Sequence, residues 1–314
     1  MIETLLNFSE QSLKTQFSAG LFYKDTAGAV DSVVIPNGPN RGFERRARFT
    51  ANSREVHLLG PLHADIFFSE RLLLNSVDLR IKLSRASNAF ALMCPANTNY
   101  KLKILGASLF LKKTAVSPAV RLGHAAALQK CNALYPLSRV NVKTYSIPEN
   151  SRICNQENLF LGTMPKYIVI AMVNHEAFTG RRDLSPFNFV HNDVEYMALC
   201  QDGRQIPTKA FQPQFNHGIS VREFYNMFTS TGRHLKDLPL SIDREEFEQG
   251  YSLFVFNLNA GEDSDALSPI SNGSLRLEMR FRAPLPHTTT LLVYACYDSI
   301  LEIVSKCRVL VDYY

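Results

Sequence analysis

Two segments between residues 135 and 178 constrain the fold most, because they carry two different β patterns. Val140, Val142 and Tyr145 alternate with polar residues, whereas residues 167–173 form a continuous apolar run. Alternation is typical of a strand with one solvent-exposed face. A continuous β-branched run is typical of a strand that is buried on both faces. The polar connection between them has no helical pattern and no glycine-rich phosphate loop. The pair therefore predicts an antiparallel sandwich rather than a βαβ enzyme.

The rest of the second half continues this pattern. Asp202-Gly203 is a tight turn signal joining predicted strands at 194–200 and 205–210. Further strands are predicted at 251–258, 275–281, 291–297 and 300–311. Ser220 and Glu223 form a capping-box motif that predicts a short helix, and Asp243 with Glu246 is a weaker version. Many short strands with two helical insertions predict a jelly roll.

The first half is predicted to be a partial copy of the same architecture. A helical stripe covers residues 2–22, and strand candidates follow at 54–60, 76–83, 88–93 and 101–114. Ser117-Pro118 predicts the start of a helix that ends near Asn132. We place the domain boundary there: residues 1–133 form a partial first jelly roll and residues 134–314 a second one. Four strands leave the first sheet with uncovered edges.

Composition bounds the class of protein. The 314 residues are 46% hydrophobic and 20% charged, with a net charge of +5, which is typical of a globular protein. The six cysteines include no CxxC pair, so free thiols in a reducing compartment are expected. No signal-peptide pattern opens the chain, and no apolar run approaches the roughly 20 residues of a membrane span. We expect a soluble, intracellular, non-secreted protein without a membrane partner.

A search for catalytic chemistry yields one weak candidate. His57, His63 and Asp65 lie close together in sequence, and two histidines with a carboxylate can hold iron in a jelly-roll enzyme. No distant histidine stands in a comparable setting, and the sequence contains neither a GxSxG nucleophile motif nor a phosphate-binding glycine loop. We therefore predict no enzymatic activity, no catalytic residues, no metal site and no cofactor.

The best basic and aromatic cluster consists of Arg45, Arg46 and Arg48 beside Phe43 and Phe49. Such a cluster is a candidate contact for nucleic acid or for another subunit. The alternative is a loop leading into a strand whose phenylalanines face the core. The sequence leaves these alternatives open.

Several segments, taken in order, resemble a known family. They are MIETLLNFSEQ, LFYKDTAG, SREVHLLGPLHADIFFSERLLLN, NAFALM, YPLSRVNVKTYSIP, LFLGTMPKYIVI, PFNF and FNL. Together they resemble a protein family encoded by Polinton/Maverick elements, which are virus-like DNA transposons, and by related adintovirus-like integrations in animal genomes. We interpret that family as a double jelly-roll major capsid protein.

The resemblance implies two jelly rolls side by side, no catalytic residues, and homotrimers with a pseudo-hexagonal footprint that tile a capsid lattice. It also implies a minor (penton) capsid partner and a place in the virion, assembled in the cytoplasm or nucleus. An upstream segment would supply the first strands, so we expect an N-terminally truncated copy. The alternative function is a jelly-roll ligand-binding module or an iron-dependent, cupin-like enzyme.

Overall fold

A computed structural model describes residues 1–96, 98–234, 236–259 and 271–304, together with the backbone of 308–311. The helices are α1 Ile2–Asn7, α2 Glu10–Lys14, α3 Arg41–Thr50, α4 Asn88–Ala91, α5 Pro118–Leu128, α6 His175–Thr179, α7 Val221–Ser230 and α8 Arg244–Glu248. The strands are β1 Ala133–Ile147, β2 Ile153–Thr163, β3 Tyr167–Asn174, β4 Val194–Gln201, β5 Arg204–Phe211, β6 Phe254–Asn257, β7 Asn272–Phe281, β8 Thr289–Val304 and β9 Arg308–Val311.

The strands build an eight-stranded jelly roll. One sheet, sheet A, has the order β1-β8-β3-β6, with β9 paired to β8, and the other, sheet B, has the order β2-β7-β4-β5. From β1 to β8, successive strands alternate between the sheets except at the β4–β5 hairpin, and the two Greek keys that result define the jelly roll. The predicted mainly β, antiparallel jelly-roll class is therefore confirmed, and its eight strands all lie between residues 133 and 304.

The core lies between the sheets and extends over the far side of sheet A. Six consecutive residues of β3, from Ile168 to Val173, are fully buried, which confirms the prediction from their continuous apolar run. Phe211 of sheet B contacts Phe256 of sheet A, with ring centroids 4.9 Å apart. In β1 only two of the fifteen residues, Tyr135 and Ile147, are buried. Strands β1 and β3 therefore differ in burial, but the alternation predicted for β1 is wrong, because Val140 and Val142 are 40% and 52% exposed.

The β4–β5 hairpin is confirmed. Asp202 and Gly203 both have positive φ, 48° and 85°, as a two-residue turn of the primed type requires. The Asp202 carboxylate accepts a hydrogen bond from the backbone N–H of Ser274, 2.8 Å away, so the turn is attached to β7.

Several predicted elements in the first half are wrong. Residues 54–60, 76–83 and 101–114 form no strand, and the predicted strand at 88–93 contains the short helix α4. The helical stripe over 2–22 is broken into α1, α2 and a 3-10 turn at Gln16–Gly20. Alternation of side chains permits a strand, but a strand forms only where a neighbouring backbone pairs with it.

Two compact units describe the chain. The first contains Met1–Pro61, Ala86–Tyr100 and Val140–Cys296, and the second contains Leu62–Arg85, Lys101–Arg139 and Tyr297–Tyr314. The linking helix α5 begins as predicted, with the Ser117 hydroxyl accepting from the N–H of Val120 and proline at the first helical position. No helix among the described residues is long and apolar enough to cross a membrane.

Candidate contact surface on helix α3

The three candidate arginines lie on a helix, so the alternative interpretation of this segment as a loop leading into a strand is wrong. Asn40 caps α3: its side-chain oxygen accepts from the N–H of Phe43 at 3.2 Å, and its amide donates to the carbonyl of Val30 at 3.0 Å. Phe43 is buried, as the alternative predicted, but Phe49 is 46% exposed. Helix α3 therefore has one buried face and one face open to solvent.

Arg46 belongs to the buried side. Its Nη2 donates to Asp25 Oδ1 at 2.5 Å, and its Nη1 donates to the carbonyl of Tyr23. Asp25 is buried, and this burial raises the pKa of its carboxyl group, an effect that the charge of Arg46 opposes. Arg46 therefore fixes α3 to the segment before it and is not available to a ligand.

Two further arginines share one buried carboxylate. Arg48 Nη2 lies 2.9 Å from Glu44 Oε1, and Arg41 Nη1 lies 3.3 Å from Glu44 Oε2. The hydrogen bond from Arg48 is the main reason that the pKa of Glu44 lies below its usual value. The side chains of Arg41 and Arg48 nevertheless remain 68% and 73% exposed. Each guanidinium carries five N–H donors, so both keep donors for a second acceptor.

Arg45 differs from its neighbours because it is exposed and forms no ion pair within the described part of the chain. Its guanidinium lies 5.8 Å from the ring centroid of Tyr23. The Tyr23 ring in turn stacks on Phe49, with centroids 6.1 Å apart and planes at 15°. We call Arg41, Arg45, Arg48, Tyr23 and Phe49 the α3 surface.

The segment beneath the α3 surface is held firmly. Gly42 approaches the backbone so closely that a Cβ there would lie 2.3 Å from the carbonyl oxygen of Lys24. The Lys24 ammonium donates to Glu246 and to the carbonyl of Ser241, and it lies 4.7 Å from the ring centroid of Tyr251. These contacts fix α3 in place on the jelly-roll unit.

The predicted iron candidates have other roles or stand in solvent. The His57 side chain is 94% exposed, the ring of His63 lies beside Phe68, and Asp65 Oδ2 accepts from the N–H of Ser138 at 2.6 Å. Among the described residues, no group of three histidine, cysteine or acidic side chains could hold a metal ion.

The cysteines that the structure describes form no disulfide. Cys94, Cys154 and Cys296 are buried, Cys200 is half-buried and Cys131 is exposed, while Cys307 lies outside the described residues. Burial raises the pKa of the Cys154 thiol. Buried protonated thiols are unreactive and pack as small apolar groups.

A second surface lies in the unit that contains Lys101–Arg139. Residues 98–116 form neither helix nor strand, and residues 101–115 are all exposed. This segment contains Ile104, Leu105 and Phe110, which are 61%, 64% and 82% exposed. We call residues 101–111 the apolar segment. In the same unit, Arg71 donates to the carbonyl of Leu134 at the start of β1.

Comparison with known proteins gives one curated relative and several structural neighbours. An uncharacterized protein of Caenorhabditis elegans, F54H12.2, is 22% identical over 297 residues, which are 92% of this chain and 68% of that protein. No family model matches the chain.

Three of the structural neighbours come from structures of the PBCV-1 virus and the Sputnik virophage. The PBCV-1 virus capsid chain gives a TM-score of 0.41 at 10% identity, covering 62% of this chain and 54% of that one. PBCV-1 VP54, fitted into a reconstruction of the virophage Sputnik, gives 0.40 at 11% identity, covering 63% and 55%. A Sputnik virophage structure gives 0.34 at 14% identity, covering 58% and 39%. The chain thus spans about half the length, or less, of these three viral chains, and the fold assignment rests on its own strand order.

Proposed function

We infer that this chain is a structural protein of the capsid type, which self-associates into a shell. The jelly-roll strand order is shared by capsid proteins, lectins and cupins, so topology alone does not choose among them. The observation that favours assembly is the apolar segment, where Phe110 is 82% exposed and Leu105 64% exposed. Contiguous apolar surface of this kind marks an interaction site.

The apolar segment has the composition of a strand in need of a partner. Residues 101–111 read KLKILGASLFL, rich in the branched and aromatic side chains that sheets accommodate. Its leucines and its phenylalanine are exposed to solvent in the single chain. Burying them against another subunit would remove this apolar surface from water, with a gain of about 25 cal/mol per Å².

The finer proposal follows the sequence resemblance. The chain would be the double jelly-roll capsid protein of a Polinton/Maverick-type element, forming homotrimers with a pseudo-hexagonal footprint and meeting a minor capsid protein at the vertices. Residues 1–133 would act as the first block and 134–314 as the second. The protein would lie in the cytoplasm or nucleus and in assembled particles, without enzymatic activity or a cofactor.

Loops would serve as the locking elements of such a shell. Those at 24–42 and 174–193 are described, and the first is fixed by Asp31, whose carboxylate accepts from Ser185 N and Asn188 Nδ2, each at 2.6 Å. Val34 and Ile35 at its tip are more than half exposed. The predicted loop at 259–273 falls largely outside the described residues, at 260–270.

Solution mass tests this function. We expect the purified full chain to sediment as a trimer or larger species, and the substitution Phe110→Lys to shift it toward the monomer. The control is Tyr225→Lys, which changes a 54% exposed aromatic on α7 and should leave the mass unchanged. A wild-type monomer at high concentration under every salt condition would reject the assembly role.

A further inference from the structure

We propose that the α3 surface binds single-stranded nucleic acid, with its arginines on the phosphates and Phe49 stacked on a base. This proposed site does not depend on self-association. The sequence left open whether the arginine cluster contacts nucleic acid or another subunit, and the proposal selects nucleic acid. It follows from three observations: the spacing of the exposed groups, the excess of charge, and the position of the aromatic rings.

The exposed groups share one face of the helix. Arg41, Arg45 and Arg48 are spaced by four and three residues, so they lie above one another on successive turns. Phe49 is four residues beyond Arg45 and continues the same stripe. The helix thus presents a row of cations that ends in an apolar ring.

The charge of this region is not balanced. Helix α3 contains four arginines, and the carboxylates that pair with them are Glu44 and Asp25. Two positive charges therefore remain in excess. Both carboxylates are buried at 7% side-chain exposure, whereas Arg41, Arg45 and Arg48 are exposed. A polyanion approaching α3 meets guanidinium groups first.

The aromatic rings favour an unpaired strand over a duplex. Phe49 stacks on Tyr23 with one face, while Arg45 lies over the Tyr23 ring. Phe49 is 46% exposed, so it has surface left for another planar group. Aromatic side chains beside a basic row are how single strands are bound without sequence preference, and only an unpaired base can stack on such a ring. An acidic protein segment would use the arginines but gain nothing from this ring.

Two variants separate charge from stacking without disturbing a buried carboxylate. Arg41, Arg46 and Arg48 are not chosen for substitution, because each pairs with Glu44 or Asp25. Arg45→Gln removes one unpaired cation, and Phe49→Ala removes the ring. If Phe49→Ala lowers the unfolding midpoint, Phe49→Leu retains an apolar contact with Tyr23 while removing the stacking surface.

The assay is fluorescence anisotropy of a labelled oligothymidylate of about 15 nucleotides, titrated with the full chain between about 50 and 200 mM salt. We expect the wild type to bind with an affinity that falls as salt rises. Arg45→Gln should make the slope of log K against log salt shallower by about 0.7, the value for one phosphate contact in a single strand. Phe49→Ala should weaken binding about tenfold while leaving the slope unchanged.

Controls and competitors decide the outcome. Arg204→Gln and Tyr225→Ala remove an exposed arginine and an exposed aromatic elsewhere, and both should bind like the wild type. The proposal is overturned if the wild type does not bind at low salt, or if the controls lose as much affinity as the α3 variants. It is equally overturned if polyglutamate competes as well as the oligothymidylate, which would indicate an acidic protein partner. A duplex that binds as tightly, with Phe49→Ala without effect, would overturn it as well.

Discussion

The hydroxyl of Tyr251 donates a hydrogen bond to the backbone carbonyl of Asp25 at 2.7 Å, across 226 residues of sequence. Tyr251 is 1% exposed, so this bond joins the segment before α3 to the strand region at β6 in a dry environment. Burial also raises the pKa of the Tyr251 hydroxyl far above its usual value, which keeps it protonated as a donor.

Removing that hydroxyl should destabilise the fold. Tyr251→Phe keeps the ring under Lys24 but leaves the Asp25 carbonyl without this donor, and we expect a loss of about 1–3 kcal/mol in the free energy of unfolding. Urea unfolding measures it. Tyr225→Phe is the control, because Tyr225 is 54% exposed and should change stability little. Equal effects of the two substitutions would contradict the prediction.

Two glycine substitutions should have opposite signs. In Gly42→Ala the new methyl would lie 2.3 Å from the Lys24 carbonyl oxygen, so α3 must shift, at a cost of about 1–3 kcal/mol. Gly123 lies inside α5 and a Cβ there has no neighbour within 4 Å. Gly123→Ala should therefore stabilise by about 0.5–1 kcal/mol through helix propensity. The midpoints of urea unfolding of the two variants are compared with that of the wild type. A higher midpoint for Gly42→Ala would show that α3 packs less closely against the Lys24 backbone than the structure indicates.

The sequence predicts the stronger capping box at Ser220 and Glu223, but the structure forms the full box at the other motif. Asp243 and Glu246 form the full capping box at α8, while the Ser220 side chain does not cap α7 and donates instead to Glu248 Oε1 at 2.5 Å. We expect Asp243→Ala to cost about 1 kcal/mol and to speed hydrogen exchange of the Glu246 amide. Ser220→Ala should leave exchange in the first turn of α7 unchanged. Faster exchange there would mean that Ser220 caps α7 in solution.

His191 should make stability depend on pH. Its ring stacks on Phe215 with centroids 3.8 Å apart, its Nδ1 accepts from the N–H of Asp193, and burial lowers its pKa below 6.5. The unfolded chain then binds more protons than the folded one just below pH 6.5, so stability is retained above that pH and falls as the pH drops through the folded pKa. The charges of Asp193 and Glu248 oppose the shift.

The test compares the free energy of unfolding of the wild type and of His191→Asn at neutral and at mildly acidic pH. In His191→Asn the amide oxygen can still accept from Asp193, but the side chain does not titrate, so this variant should lose less stability than the wild type on acidification. His217→Asn, at an exposed position, should behave as the wild type does. An unchanged pH dependence in His191→Asn would contradict the assignment.

Sequence patterns predicted the second half well because its strands have regular burial. The continuous run in β3 and the turn at Asp202-Gly203 each determine a strand position without reference to distant residues. Strand β2 was missed within the predicted polar connection. Its pairing with β7 shifts register between Gln156 and Phe160, and this irregularity breaks the alternation by which a strand is recognised.

The first half shows what a pattern cannot determine. Residues 77–83 alternate as strands do and residues 101–114 contain two apolar β-type runs, yet no strand forms at either place, because pairing depends on a neighbouring backbone that composition does not reveal. Helix α3 was missed although its signals were present. Asn40 is a favourable cap, and the four-residue and three-residue spacing of Arg41, Arg45 and Arg48 follows the helical period. Which arginine would remain unpaired depended on Asp25, sixteen residues before α3 begins.

The complete burial of β3 limits where partners can attach. A strand closed on both faces from Ile168 to Val173 leaves its part of sheet A with no face to offer. Sheet B is different, since Arg276 and Arg280 of β7 stand exposed between buried neighbours. Docking is therefore closed at β3, whereas the exposed residues of β1, the outer face of sheet B, the strand edges and the irregular segments remain open. Among the described surfaces, a partner of this protein would have to use these, while β3 stays the buried centre of sheet A.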